Sequence, residues 1–166
     1  LYPDTYFLSS QASPEELIEK ALANFHAKID PLWEKAQTTR SLNEILTMAS
    51  IIETEVFGEE DRAIVSGILW KRLESGWTIG ADATLLYIKD DRVITKDDLA
   101  SDSPYNTRKN LGLPPTPIAN PSLSSINAAL NPKESPYWFY LTTLDTGEVI
   151  YAKTNEEHNL NRAKHL

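Results

Sequence analysis

Ser13 with Glu16, Ser41 with Glu44, and Thr154 with Glu157 each set a Ser or Thr three positions ahead of a Glu at the head of an expected helix. In such a pair the hydroxyl caps the N3 amide and the Glu reaches back to the N-cap amide, so each pair marks a helix start. The first is reinforced by Pro14 at the first helical position, where a missing N–H costs nothing. Leu17, Ile18, Ala21, Leu22, Phe25 and Ile29 follow at helical spacing, and Pro31 is expected to begin a short further segment through Trp33. The second start opens a helix with a core stripe of Ile45, Met48, Ala49, Ile52 and Val56.

A third long helix is expected to follow, with Glu59, Glu60 and Asp61 at its positive end, Lys71 and Arg72 at its negative end, and Gly76 as its stop. Asp82 and Thr95 are read as caps of two short helices. Residues 103–121 hold five prolines, too interrupted for a helix and too long for an idle connection. A helix is expected over 122–130, then strands over 137–144 and 148–153 joined at Asp145-Thr146-Gly147, then the helix opened by Thr154. The class is α+β: one mostly helical domain over residues 1–166 with a small antiparallel hairpin near its C-terminus.

The formal charge of −8 argues against nucleic acid or an anionic membrane surface as partner. Without cysteine there is no disulfide, thiolate nucleophile or zinc ribbon, and three scattered histidines make no metal-ligand spacing, so neither a metal nor a cofactor is expected. No run approaches the roughly 20 apolar residues of a spanning helix. The chain opens abruptly on Leu1-Tyr2-Pro3-Asp4 without an initiator Met, and reads as a fragment of a longer protein.

Chemistry is expected in Ala49-Ser50-Ile51-Ile52-Glu53-Thr54-Glu55. On a helix Glu53 shares a face with Leu46, Ala49, Ser50 and Phe57, and a carboxyl held against apolar neighbours has its pKa raised towards that of a general acid. The plainer alternative is a Glu pointing into water. Glu55, two positions on, faces elsewhere and reads as structural or solvated.

Several segments, in order, resemble the YceG-like endolytic murein transglycosylases, also called the MltG type. They are Leu1-Tyr2-Pro3-Asp4-Thr5-Tyr6; Ala49-Ser50-Ile51-Ile52-Glu53; Asp82, Thr84 and Tyr87; Ser103-Pro104-Tyr105-Asn106-Thr107; Gly112-Leu113-Pro114-Pro115-Thr116-Pro117-Ile118-Ala119-Asn120-Pro121; and Ala152-Lys153-Thr154-Asn155-Glu156-Glu157-His158-Asn159. The chain departs from the family at Gly80-Ala81 and Ala83, at Arg108, where an aromatic is common, and at Val149, where a Gly-Gly-His signature is common.

The resemblance implies cleavage of the glycosidic bond of peptidoglycan strands with Glu53 as the single acid and base, leaving a 1,6-anhydro-muramic acid end. It implies substrate contacts from Asp82, Thr84, Tyr87, Tyr105, Asn106 and Thr107, each with a structural alternative: a helix cap for Asp82, core packing for Tyr87, loop hydrogen bonds for Tyr105 and Asn106. Trp77 is read as core or sugar platform, and His158 as structural. The resemblance further implies peptidoglycan synthases as partners, and a domain outside the cytoplasmic membrane held by an upstream anchor. The rival readings are a hydrolytic muramidase, with Asp82 activating water, and a glycan-binding scaffold without turnover. A pyridoxal-phosphate lyase is disfavoured, because no glycine-rich phosphate cradle is visible.

Overall fold

The helix opened by Ser41 ends up enclosed by the rest of the chain. The computed structural model describes residues 1–91, 93–143 and 145–166. In chain order it gives α1 (Pro14–Trp33), α2 (Leu42–Glu55), α3 (Glu59–Glu74), α4 (Asp82–Leu86), α5 (Lys96–Ala100), α6 (Leu123–Leu130), β1 (Phe139–Thr142), β2 (Val149–Ala152) and α7 (Asn155–His165). The capping box of α2 is complete, with the Ser41 amide donating to Glu44 Oε2 at 2.7 Å. From there Ile45, Met48, Ala49, Ile51 and Ile52 are all fully buried, against α6 on one side and α3 on the other. Each large side chain so buried contributes about 1.5–3 kcal/mol.

The short α6 brings Ile126 and Ala129 into this core, and its Ala129 carbonyl accepts from Trp70 Nε1 of α3 at 3.1 Å. Where α3 passes under the chain after α6, Gly67 permits the contact: a Cβ there would lie 2.0 Å from the Lys133 carbonyl oxygen. Further along α3, Lys71 and Arg72 hold the strand that follows. Lys71 Nζ donates to the Ser135 carbonyl at 2.9 Å, and Arg72 donates to the Trp138 and Ile79 carbonyls. β1 and β2 pair antiparallel in a register running from Phe139↔Ala152 to Thr142↔Val149, with Gly147 at φ +71° in the turn. α7 packs on this hairpin.

Several expectations need correction. Pro31 starts no new segment: it lies in the last turn of α1, where losing one amide does not break the helix. The apolar face of α1 is only partly covered, for Ala21 and Ile29 are buried while Leu17, Ile18 and Leu22 are exposed. Asp82 is the first helical residue of α4 rather than its cap; that place falls to Ala81, with no side-chain cap bond. In the start of α7 the Thr154 half of the box forms, but Glu157 bonds the Lys153 amide. Likewise Glu16 supplies the amide to Ser13, while its carboxylate pairs with Lys20. The strands are shorter than expected, and the end of the first expected strand, Leu144, lies outside the described residues.

Candidate active site

Glu53 and Glu55 leave the same helical turn about 200° apart, and the two carboxyls meet opposite environments. Glu53 faces the start of α6. Its Oε2 accepts from the Ser122 amide at 2.9 Å, the Ser122 hydroxyl at 2.6 Å and the Ser125 hydroxyl at 2.7 Å, while Oε1 lies 3.5 Å from Arg62 Nη2. Ser122 is the N-cap of α6, so the carboxylate sits at the positive end of a helix dipole. Burial alone pushes its pKa up, but the Ser122 and Ser125 hydrogen bonds and the Arg62 charge outweigh that and hold it below the ordinary value. The rise in pKa expected at Glu53 is therefore not found. The apolar residues that share its face say nothing of the hydroxyls and amide brought against it from residues 122–125.

Glu55 is the last residue of α2, at the negative end of that helix, where a carboxylate charge is disfavoured. Its Oε2 accepts from the Tyr140 hydroxyl at 3.1 Å, and its backbone carbonyl accepts from Thr142 Oγ1 at 3.1 Å, so β1 fixes both ends of the residue. Burial pushes the carboxyl above the usual range. Tyr140, the Ala83 amide and Arg108 draw it down, the Asp82 charge adds to the rise, and the net shift is upward. Burial also raises Tyr140 well above the ordinary phenol value, so it stays a protonated donor.

Glu55 opens into a cleft of about 660 Å³ whose walls include Arg72, Trp77, Asp82, Arg108, Phe139 and Tyr140. The far wall is α7, through Asn155, His158, Asn159 and Arg162. Asp82 is exposed in this cleft and held by Arg108 Nε. Trp77 is 46% exposed and packs tilted against Trp138, with centroids 4.7 Å apart and ring planes at 35°, and it lines the cleft. His158 lies over Phe139 with centroids 5.3 Å apart, and burial followed by the charges of Arg162, Arg72 and Arg108 keeps its pKa below the ordinary value. Among the described residues no three His, Cys, Asp or Glu side chains gather as a metal site would require.

Of the other residues read as substrate contacts, three are structural. Asn106 is fully buried: its Nδ2 donates to the Leu99 and Ser101 carbonyls at 3.0 and 2.9 Å, and its Oδ1 accepts from the Arg108 amide. Thr84 and Thr107 are buried with their hydroxyls 2.9 Å apart, and both serve Ala81. Their polar atoms are consumed in joining the start of α4 to the 105–107 loop, which leaves none for a sugar. Tyr105 bonds Thr116 at 2.8 Å and packs its ring 5.4 Å from Tyr87; neither lines the cleft. Tyr140, Arg108 and Arg162 were missed by the sequence reading. The signal available for Glu55 was its place at a helix C-terminus, where a Glu is unfavourable without another reason.

Helices gathered on a central one, a C-terminal hairpin and a carboxyl-bearing cleft between them define a helical α+β domain. The family model described as the YceG-like family matches residues 1–164, and the chain belongs to that family. Over 171 residues it is 37% identical to an endolytic murein transglycosylase of Bacillus subtilis (strain 168), covering 100% of this chain and 47% of that protein. Over 174 residues it is 31% identical to an endolytic murein transglycosylase of Streptococcus pneumoniae serotype 2 (strain D39 / NCTC 7466), covering 100% of this chain and 32% of that protein. A crystal structure of a YceG-like protein from Listeria monocytogenes superposes with a TM-score of 0.83 at 39% identity, over 96% of this chain and 53% of that one. The chain thus spans about half or less of the length of these relatives. Among the described residues no helix is long and apolar enough to cross a membrane, so none of them supplies the anchor that the sequence resemblance implied.

Proposed function

We propose that this domain is the catalytic part of an endolytic peptidoglycan lytic transglycosylase, with Glu55 rather than Glu53 as its acid and base. The observation that carries the reading is a carboxyl made hard to ionise at the mouth of a cleft, beside the Asp82–Arg108 pair. The relatives named as endolytic murein transglycosylases supply the substrate class. Protonated Glu55 donates to the glycosidic oxygen as the bond to the anomeric carbon breaks. The resulting carboxylate then accepts the proton of the muramic acid C6 hydroxyl, whose oxygen closes on that carbon to give the 1,6-anhydro end. Tyr140 holds the carboxyl in place throughout, burial keeps it protonated with a smaller contribution from the Asp82 charge, and Asp82 balances positive charge developing on the sugar. General acid–base help of this kind contributes about 10²–10⁴-fold. The substrate lies on the cell-wall side of the membrane, which is where the domain would act; peptidoglycan synthases remain its expected partners.

A second reading has an observation of its own. Asp82 shares the cleft with Glu55, and two carboxyls are what a hydrolase uses, one as acid and one to activate water. Mass analysis of products from purified peptidoglycan separates the two. The transglycosylase gives 1,6-anhydro ends; reducible ends as the main product would establish the hydrolase, and no cleavage by the full-length protein would remove both.

A further inference from the structure

The chain carries a net charge of −8, yet the side chains that line the cleft among the described residues include Arg72, Arg108 and Arg162 against Glu55 and Asp82. Arg72 is engaged with the Trp138 and Ile79 carbonyls. Arg108 bonds Asp82 through Nε, and neither of its Nη atoms makes a hydrogen bond among the described residues. The Arg162 side chain forms no hydrogen bond or ion pair among the described residues, although it lines the cleft. Asn155, His158, Asn159 and Arg162 recur at i, i+3, i+4 and i+7, so one face of α7 turns four hydrogen-bonding side chains towards the cavity, with Leu166 at its C-terminal end. The acidic residues of its first turn are not among those lining the cleft, and Glu157 is tied back to the Lys153 amide.

Neutral sugars are held by hydrogen bonds and by stacking on rings such as Trp77; they do not call for unpaired guanidinium groups. We propose that Arg162, with the free edge of Arg108 and the amides of Asn155 and Asn159, forms a subsite for the carboxylates of the peptide stem carried by the glycan strand. This rests on the reading that a peptidoglycan strand occupies the cleft. In such a strand the lactyl carboxyl of muramic acid is consumed in the amide bond to the stem, so the free carboxylates belong to the peptide. A guanidinium fork suits them, since its paired N–H groups match the two carboxylate oxygens.

The test uses soluble uncrosslinked strands with intact stems, before and after their carboxyls are capped as neutral amides. Binding is titrated with a Glu55→Gln form of the full-length protein, so that it is read without cleavage. Capping is expected to weaken binding about five- to tenfold, the range of a partly exposed charge pair made through a fork. Adding Arg162→Gln should weaken binding of native strands by a similar factor and abolish the distinction between native and capped strands, while Arg162→Lys should restore part of it. Equal affinity for native and capped strands, or a distinction that survives Arg162→Gln, overturns the subsite. Those outcomes are separate from failure of the catalytic reading, in which the wild-type protein binds native strands preferentially but cuts neither form.

Discussion

Replacing Glu53 with Ala should damage the fold before it damages the chemistry. The substitution strips Ser122 of a partner for its amide and hydroxyl, strips Ser125 of its hydroxyl partner, and leaves Arg62, whose side chain is only 12% exposed, without its anion. Hydrogen bonds to charged groups contribute about 1.5–3 kcal/mol each. They are not additive here, because the three donors share one oxygen and the site is partly open to water, so the expected loss is about 3 kcal/mol. For a domain of this size that lowers the melting temperature by roughly 6–12 °C. Glu53→Gln keeps an acceptor and loses the charge, and should fall about midway. The pH dependence has a definite sign. A carboxylate whose pKa is lowered on folding adds stability above its unfolded value, near 4.5, and that stability is lost as pH falls through the lower folded value. The gap between wild type and Glu53→Ala should thus be full at pH 7 and shrink below about pH 4.5. Urea denaturation at both ends of that range measures it. A Glu53→Ala protein as stable as wild type at pH 7 would refute the clamp.

The remaining expectations concern the cleft and its supporting loop. Tyr140→Phe removes a hydrogen bond that lowers the Glu55 pKa, so the alkaline limb of the pH–rate profile should move up; Asp82→Asn removes a charge that raises it, so the limb should move down. Shifts in the same direction would contradict the assigned electrostatics. Asp82→Asn should also lose less turnover than any change at Glu55 that removes its proton. Asn106→Ala removes a fully buried side chain and takes its donor from the part-buried Leu99 and Ser101 carbonyls, and should cost about 2–3 kcal/mol in denaturant unfolding, with no change in the Glu55 pKa.

What could be read from the sequence was local. The start of α2 was legible because Ser41 and Glu44 bond within one turn, and the burial of Ile45, Met48 and Ile52 follows from their spacing. The surroundings of the two carboxyls were not legible because they arrive from afar: Ser122 and Ser125 reach Glu53 across 69 and 72 residues, and Tyr140 reaches Glu55 across 85. Periodicity tells which residues share a face, not what packs against it. The resemblance implied sugar contacts from Asn106 and Thr107, and a polar loop residue has the same sequence signature whether it faces water or braces the chain. The place of Asn155, Asn159 and Arg162 on the cleft wall depends on α7 packing against the hairpin, which their spacing in the sequence does not show.

The central claim is that the chemistry belongs to Glu55 and the bracing to Glu53. Cleavage rates of Glu55→Gln and Glu53→Gln on purified glycan strands, each measured at a temperature where both proteins are folded, test it most directly. Glu55→Gln removes the proton donor and also a charge that burial opposes, so it should lose at least about 10²-fold in turnover while melting at or above the wild-type temperature. Glu53→Gln should melt lower and still cut. Abolished cleavage in Glu53→Gln with wild-type stability, alongside an active Glu55→Gln, would contradict the account.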